Sequence, residues 1–269
     1  MRMNMEVTLL PGERIDDLQR GGLKIIQSQN EFRFGTDAVI LADYSAGRVG
    51  KKVVDIGTGT GVLPLLITAR NPNTSFDAVE VSPKMADMAR RSVLLNGLQD
   101  RIRVHTIDCR QAYTVLGNEQ ADSVVTNPPY HPEGTGLTSP EKGIALARGG
   151  DHACPVEDWV QASSRVLKYG GHVFFIYPAA RMFALTNAMQ KNRIEPKRIR
   201  LIAARTDDPP KLVIVEGIKG AHSGVQFLPV LFTHTADGQY SDEMLRIYGS
   251  EEKTESLEGE HIENRKDGV

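Results

Sequence analysis

Two short segments of the 269-residue chain carry residue types that can do chemistry. The first is Asp55-Ile56-Gly57-Thr58-Gly59-Thr60-Gly61. Alternating glycines let a backbone turn tightly and approach a ligand where a Cβ would intervene. A helix following such a turn offers unpaired N–H groups to a polar ligand. A glycine-rich turn that served no ligand would cost chain entropy for nothing. A nicotinamide-dinucleotide fingerprint would require glycine at position 62, where Val62 stands, and Asp55 is foreign to that pattern. The second segment is Asn127-Pro128-Pro129-Tyr130. The prolines fix their own φ angles, and Pro128 also restricts Asn127. A side-chain amide therefore sits on a stiff support beside an aromatic ring, which a plain turn does not require. Two carboxylates join these segments. Glu80, nineteen residues after Gly61, is placed to accept hydrogen bonds from a ribose diol, with a solvent-exposed glutamate as the bland alternative. Asp108 is either a ligand contact or the N-cap of the next helix, or both.

The elements that position these residues follow from apolar patterning. Strands are expected at 52–57, 75–81, 101–107, 121–126 and 172–177, with two more at 199–203 and 212–215. A helix opens at Pro83, a first-turn proline, and stops at Asn96-Gly97. Another runs from Pro155 to Lys168 with Val156, Trp159, Val160 and Leu167 on one face, and Gly170-Gly171 precedes the following strand. A third, capped by Thr36 or Asp37, runs to Ser45. Strands alternating with helices imply right-handed βαβ units and a doubly wound α/β fold with a mostly parallel, seven-stranded, Rossmann-like sheet. Ligands of such sheets bind at the carboxyl ends of the strands, which is where the glycine turn, Glu80, Asp108 and Asn127 all fall.

The run V-D-x-G-x-G-x-G at Val54 to Gly61 resembles the first motif of class I S-adenosylmethionine-dependent methyltransferases. The resemblance implies that the cofactor S-adenosyl-L-methionine lies over Gly57, Gly59 and Gly61, with Asp55, Glu80 and Asp108 as further contacts, Asp108 toward the adenine amine. Asn-Pro-Pro-Tyr resembles the signature of methyltransferases acting on amino or amide nitrogen in planar groups: adenine N6, cytosine N4, guanine N2 or glutamine N5. It implies that Asn127, Pro128 and Tyr130 carry the reaction. An exocyclic adenine amine is a poor nucleophile because its lone pair is delocalised. The Asn127 side-chain oxygen and the Pro128 carbonyl can accept its two N–H groups and expose the lone pair, while Tyr130 stacks on the ring. The segment Phe32-x-Phe34-Gly35-Thr36-Asp37-Ala38, and Tyr240-Ser241-Asp242-Glu243 followed by Tyr248, are similar to those of bacterial tRNA1(Val) adenine-37 N6-methyltransferases. That likeness spans roughly residues 7 to 249 and implies that Gly35, Thr36 and Asp37 lie at the methionine end of the cofactor. The alternatives left open are a guanine-N2 rRNA enzyme, a protein-glutamine N5 enzyme, a nicotinamide oxidoreductase and a silent RNA-binding module.

Composition sets the remaining bounds. Apolar residues make up 40% and charged residues 25%, as in a soluble globular protein. No apolar run is long enough for a membrane span, and no secretory signal is expected at the N-terminus. Two cysteines, Cys109 and Cys154, without a CxxC pair, argue against a disulfide scaffold or a cysteine-rich zinc site and for a reducing, cytoplasmic setting; no metal is expected. The formal charge of -2 hides an uneven distribution. Residues 251–269 sum to -4, leaving +2 for the rest, and residues 191–205 hold six basic groups against Glu195 alone. Lys197 and Arg198 in this stripe are candidate RNA contacts. Arg148 and His152, in the glycine-rich 131–153 loop, are further candidates, with the loop either a substrate gate or a plain surface insertion. The expected organisation is an N-terminal extension over the cofactor site (1–46), a methyltransferase domain (47–250) and a disordered acidic tail (251–269).

Overall fold

A computed structural model describes residues 7–28, 35–129 and 154–249. The chain opens with an antiparallel hairpin of β1 (Glu13–Asp17) and β2 (Lys24–Ser28), followed by α1 (Thr36–Ala46). Then β3 (Lys52–Ile56), α2 (Val62–Arg70), β4 (Ser75–Glu80), α3 (Pro83–Leu95) and β5 (Ile102–Thr106) alternate. Next come α4 (Ala112–Leu116), β6 (Ala121–Thr126), α5 (Val156–Val166), β7 (Leu167–Pro178) and α6 (Met182–Lys191). The last elements are β8 (Ile194–Ala203), β9 (Leu212–Lys219), the two-residue strands β10 (Gln226–Phe227) and β11 (Leu231–Phe232), and α7 (Asp242–Tyr248).

The seven expected strands form one sheet in the order β8-β9-β7-β6-β3-β4-β5, parallel except for β9. The short β10 and β11 add to its β8 edge. Both faces are covered, so the central strands are apolar throughout rather than alternating. Successive residues serve opposite faces: Val53 and Phe174 pack with α1 and α2, Val54 and Phe175 with α5 and α6. The chain winds outward from β3 to β5, then returns to β6 on the other side of β3. The crevice between the carboxyl ends of β3 and β6 is the topological switch point, where a ligand site is expected. The hairpin is fastened to α3 by Glu13, whose carboxylate takes both Arg91 nitrogens (2.6 and 2.7 Å), and by the Ile26 N–H donating to Ser92 Oγ at 2.9 Å.

Two local expectations are corrected. The helix expected to reach Lys168 ends at Val166, and the strand begins at once with Leu167, fully buried and paired with Ala121. Lys168 reaches Asp122 at 2.6 Å, and Gly170, at φ +77°, lets Lys168–Gly171 bulge opposite that single residue. Long-range pairing thus overrides helix periodicity there. At α1 the N-cap is Gly35, not Thr36 or Asp37. Asp37 still satisfies a first-turn donor, its Oδ1 accepting the Ala38 N–H at 2.9 Å. At α3 the structure follows the sequence: Ser82 caps Pro83, and Gly97 takes the left-handed conformation after Asn96.

Candidate active site

The turn after β3 is held shut from below. The Gly57 and Thr58 N–H groups donate to the Val79 carbonyl (2.8 and 3.0 Å), and the Gly59 N–H donates to Glu80 Oε2 at 2.9 Å. Gly57, Gly59 and Gly61 all have positive φ. A Cβ on Gly57 would lie 2.7 Å from the Trp159 ring, and one on Gly59 3.3 Å from Met85 Cε. The floor is therefore closed by side chains from α5 and α3, while the turn's outer side stays bare backbone. Glu80 Oε1 accepts the Ser82 N–H at 2.9 Å, so both carboxylate oxygens are anchored and retain lone pairs for a diol. Burial raises the Glu80 pKa, against the pull of these donors.

Asp55 lies fully buried behind the turn, and neither carboxylate oxygen has a hydrogen-bond partner among the described residues. Burial pushes its pKa up to about 7, with the nearby Glu80 charge adding to the rise; the Thr58 hydroxyl opposes it without reaching hydrogen-bond geometry. A buried carboxylate without donors is costly and marks a site completed by a cation or donor from outside the chain. Asp108 follows β5 and fills the capping role weighed for it. It caps the turn 109–111 through the Arg110 N–H (2.9 Å) and takes the Arg110 guanidinium in a two-pronged pair, which holds its carboxyl below the usual range.

Asn127 follows β6, half-buried, ahead of the buried Pro128 and the half-buried Pro129. Its Nδ2 donates to Asp37 Oδ2 at 2.9 Å, across a separation of 90 residues. With the amide nitrogen so placed, Oδ1 is left buried and without a partner among the described residues. A Cβ on Gly35 would lie 2.7 Å from Asp37 Oδ1, so the glycine leaves that carboxylate its room. Thr36 Oγ1 meets the Tyr248 hydroxyl at 3.1 Å. The structure thus gathers Gly35, Thr36, Asp37, the glycine turn, Asp55, Glu80 and Asn127 around the carboxyl ends of β3, β4 and β6. Tyr130, Arg148, His152 and the acidic tail lie outside the described residues.

Residues 25–143 match the family described as Methyltransferase small domain. A tRNA1(Val) (adenine(37)-N6)-methyltransferase of Porphyromonas gingivalis is 28% identical over 232 residues, covering 83% of this chain and 89% of that one. Another so named, from a Flavobacteriaceae bacterium, is 26% identical and covers 82% and 91%. The fold is shared with a predicted O-methyltransferase from Agrobacterium tumefaciens (TM-score 0.65, 23% identity, 79% of this chain and 95% of that chain). The chain is an S-adenosylmethionine-dependent methyltransferase.

The methyltransferase contains features that sequence reasoning did not reach. The Asp37–Asn127 link joins two segments with no shared pattern. Val81, immediately after Glu80, is an apolar side chain left 40% exposed at the end of β4; an aliphatic residue following a strand-end carboxylate was the available signal. Cys109 and Cys154 bring their sulfurs to 3.9 Å, and burial raises both thiol pKa values. Of the two expected RNA contacts in the basic stripe, Arg198 is ion-paired within the chain and Lys197 is not. Arg198 donates to Glu216 Oε1 at 2.7 Å, and Arg200 takes both oxygens of Glu243 (2.7 and 2.8 Å). Glu216 is fully buried; burial works to raise its pKa, but hydrogen bonds from His172 and Tyr44 and the Arg198 charge outweigh it and hold it low. Lys197 is half-buried, and its ammonium meets only the His222 carbonyl, at 3.2 Å, among the described residues. Among the described residues no helix is long and apolar enough to cross a membrane.

Proposed function

We propose that the methyltransferase transfers a methyl group to the exocyclic N6 of an adenine in tRNA, in the cytoplasm. One observation carries this reading: Asn127 presents a buried, unpartnered Oδ1 while Asp37 holds its Nδ2. That fixes an acceptor, not a donor, toward the crevice. An amine with two N–H groups is the substrate such an acceptor suits. The Asn127 oxygen takes one N–H and the Pro128 carbonyl the other, so the nitrogen's lone pair turns out of conjugation. The two curated relatives described above are named for adenine N6 methylation of tRNA, which favours that amine over guanine N2 or glutamine N5. A base in an anticodon loop must leave its stack to reach the crevice.

S-adenosylmethionine supplies an electrophilic methyl carried on a sulfonium. The chain's part is placement. The bare glycine turn gives close approach, Glu80 accepts from the ribose, and Asp108 accepts from the adenine amine with the lone pairs that Arg110 leaves. Gly35, Thr36 and Asp37 at the head of α1 cover the methionine end. Buried Asp55 answers the cofactor's positive charge. The test is methylation of total tRNA and total protein in parallel with labelled cofactor, followed by nucleoside analysis. The expected product is N6-methyladenosine in tRNA, absent with Asn127→Ala, whose cofactor affinity stays near wild type. Label confined to protein glutamine, or to N2-methylguanosine, overturns the reading.

A further inference from the structure

We infer a second nucleobase pocket, which takes a base flanking the target adenine. It rests on the proposed RNA substrate and adds a site to it. A cavity of about 310 Å³ opens between the β1–β2 turn, α1, α2 and the C-terminal segment. Val39 and Leu66 form its apolar floor, Tyr240 and Tyr248 its aromatic wall, and Asp17 and Gln19 its polar rim. The wall is part of a row of three rings. His234 and Tyr240 have centroids 5.1 Å apart, Tyr240 and Tyr248 5.3 Å apart, and Tyr240 remains 42% exposed. Exposed aromatic rings in a row form a platform on which unstacked RNA bases stack.

The pocket adjoins the reaction site through named contacts. The Tyr248 hydroxyl meets Thr36 Oγ1 at 3.1 Å, and the next residue, Asp37, holds Asn127. A nucleotide beside the target adenine therefore arrives where the tyrosines stand. The rim suits a base edge. Gln19 adopts φ +52°, an uncommon conformation for a residue with a side chain, and is held there by its N–H donating to Asp17 Oδ1 at 2.6 Å. Its amide offers a donor and an acceptor together, the pairing a Watson–Crick edge requires. Cations for the phosphates are at hand. Arg205, against Gly238, and Arg246, two residues before Tyr248, are exposed and form no ion pair among the described residues.

The experiment uses the full chain, a tRNA transcript that it methylates, and transcripts with a single abasic nucleotide on either side of the target adenine. Tyr240→Ala is expected to raise the RNA KM roughly 5- to 150-fold, with kcat and cofactor affinity unchanged. Tyr240→Phe, which keeps the ring, stays within about two-fold. With wild-type protein, one flanking abasic transcript loses affinity to a similar degree, and on it Tyr240→Ala costs nothing more. Gln19→Ala changes the preference for base identity at that same position. If the intact transcript is methylated normally while Tyr240→Ala and both abasic transcripts keep the wild-type KM, the pocket is refuted and the adenine reading stands. If wild-type protein methylates no RNA, the adenine reading fails, and the pocket with it.

Discussion

Asp37→Ala should reduce methyl transfer although Asp37 touches no reacting atom. The Asp37–Asn127 bond is 2.9 Å long, its acceptor is a carboxylate oxygen and its donor half-buried. Hydrogen bonds to charged groups contribute about 1.5–3 kcal/mol. Without it the Asn127 amide has no reason to prefer Oδ1 toward the crevice over Nδ2. If that whole preference is expressed in the transition state, kcat falls roughly 10- to 150-fold. Asp37→Asn should be milder but not neutral. One amide oxygen must then serve both donors that the two carboxylate oxygens now serve, the Ala38 N–H and Asn127 Nδ2. When it takes the Ala38 bond, its own NH2 faces Asn127 and favours the flipped amide. The assay is single-turnover methylation at saturating cofactor, in a double-mutant cycle with Asn127→Ala. Positioning predicts strong non-additivity: once Asn127 is gone, losing Asp37 costs little more. An Asp37→Ala enzyme whose cofactor KM alone rises, or one that loses the same factor in the Asn127→Ala background, would refute the reasoning.

Three further perturbations test other parts of the molecule. Gly57→Ala places a Cβ 2.7 Å from the Trp159 ring at φ +78°; it should lower stability by about 2 kcal/mol or more and weaken cofactor binding, read by thermal melts and titration calorimetry. Asp55 is the source of a pH effect whose sign is fixed. Its pKa is about 7 in the folded chain against the ordinary aspartate value of 3.8, so the folded state keeps its proton longer. Stability contributed by that proton is complete near pH 4, falls as pH rises, and is lost above about 7. Melts at pH 5 and pH 8 should show a drop in wild type that is much smaller in Asp55→Asn; equal drops count against it. Finally, Arg198→Glu sets a second carboxylate against buried Glu216 and should cost about 2 kcal/mol or more, whereas Lys197→Glu leaves the melting temperature near wild type. If Lys197 meets RNA, its reversal raises the RNA KM and flattens the salt dependence; an unchanged KM and salt slope dismiss that contact.

How much of this was legible in the sequence depended on whether a feature is local. The strand ends were, because buried parallel strands are written as continuous apolar runs with punctuation after them, and glycines at Gly57, Gly59 and Gly61 announce positive φ. The α3 boundaries were, because Pro83 and Asn96-Gly97 are self-sufficient signals. The end of α5 was not. Leu167 satisfies the helix face and the strand equally well, and only Ala121, far along the chain, decides between them. The cap of α1 escaped for a related reason: Asp37 looks like a cap, but its second oxygen is committed to Asn127, which no local pattern reveals.

The charge distribution shows the same limit most sharply. Summed along the chain, residues 191–205 form a strongly basic stripe. Folded, β8 lies between partners that cancel much of it, since Glu216 on β9 takes Arg198 and Glu243 on α7 takes Arg200. Both acids lie outside the stripe in sequence, so no window along the chain could subtract them. Glu216 did carry a hint, a lone carboxylate inside the apolar run Leu212–Lys219, where an ionised group survives only with a cation or donors supplied. Net charge over a segment therefore measures what must be neutralised as much as what is offered to a polyanion. Lys191, Arg193, Lys197, Arg205 and Arg246 have no carboxylate partner among the described residues, and cations of that kind are the ones an RNA could use. Arg205 and Arg246 belong to the segments around the tyrosine row rather than to the middle of the stripe. Arg205 and Arg246 thus put positive charge beside the exposed Tyr240 ring, which is why the RNA contacts should be sought there first.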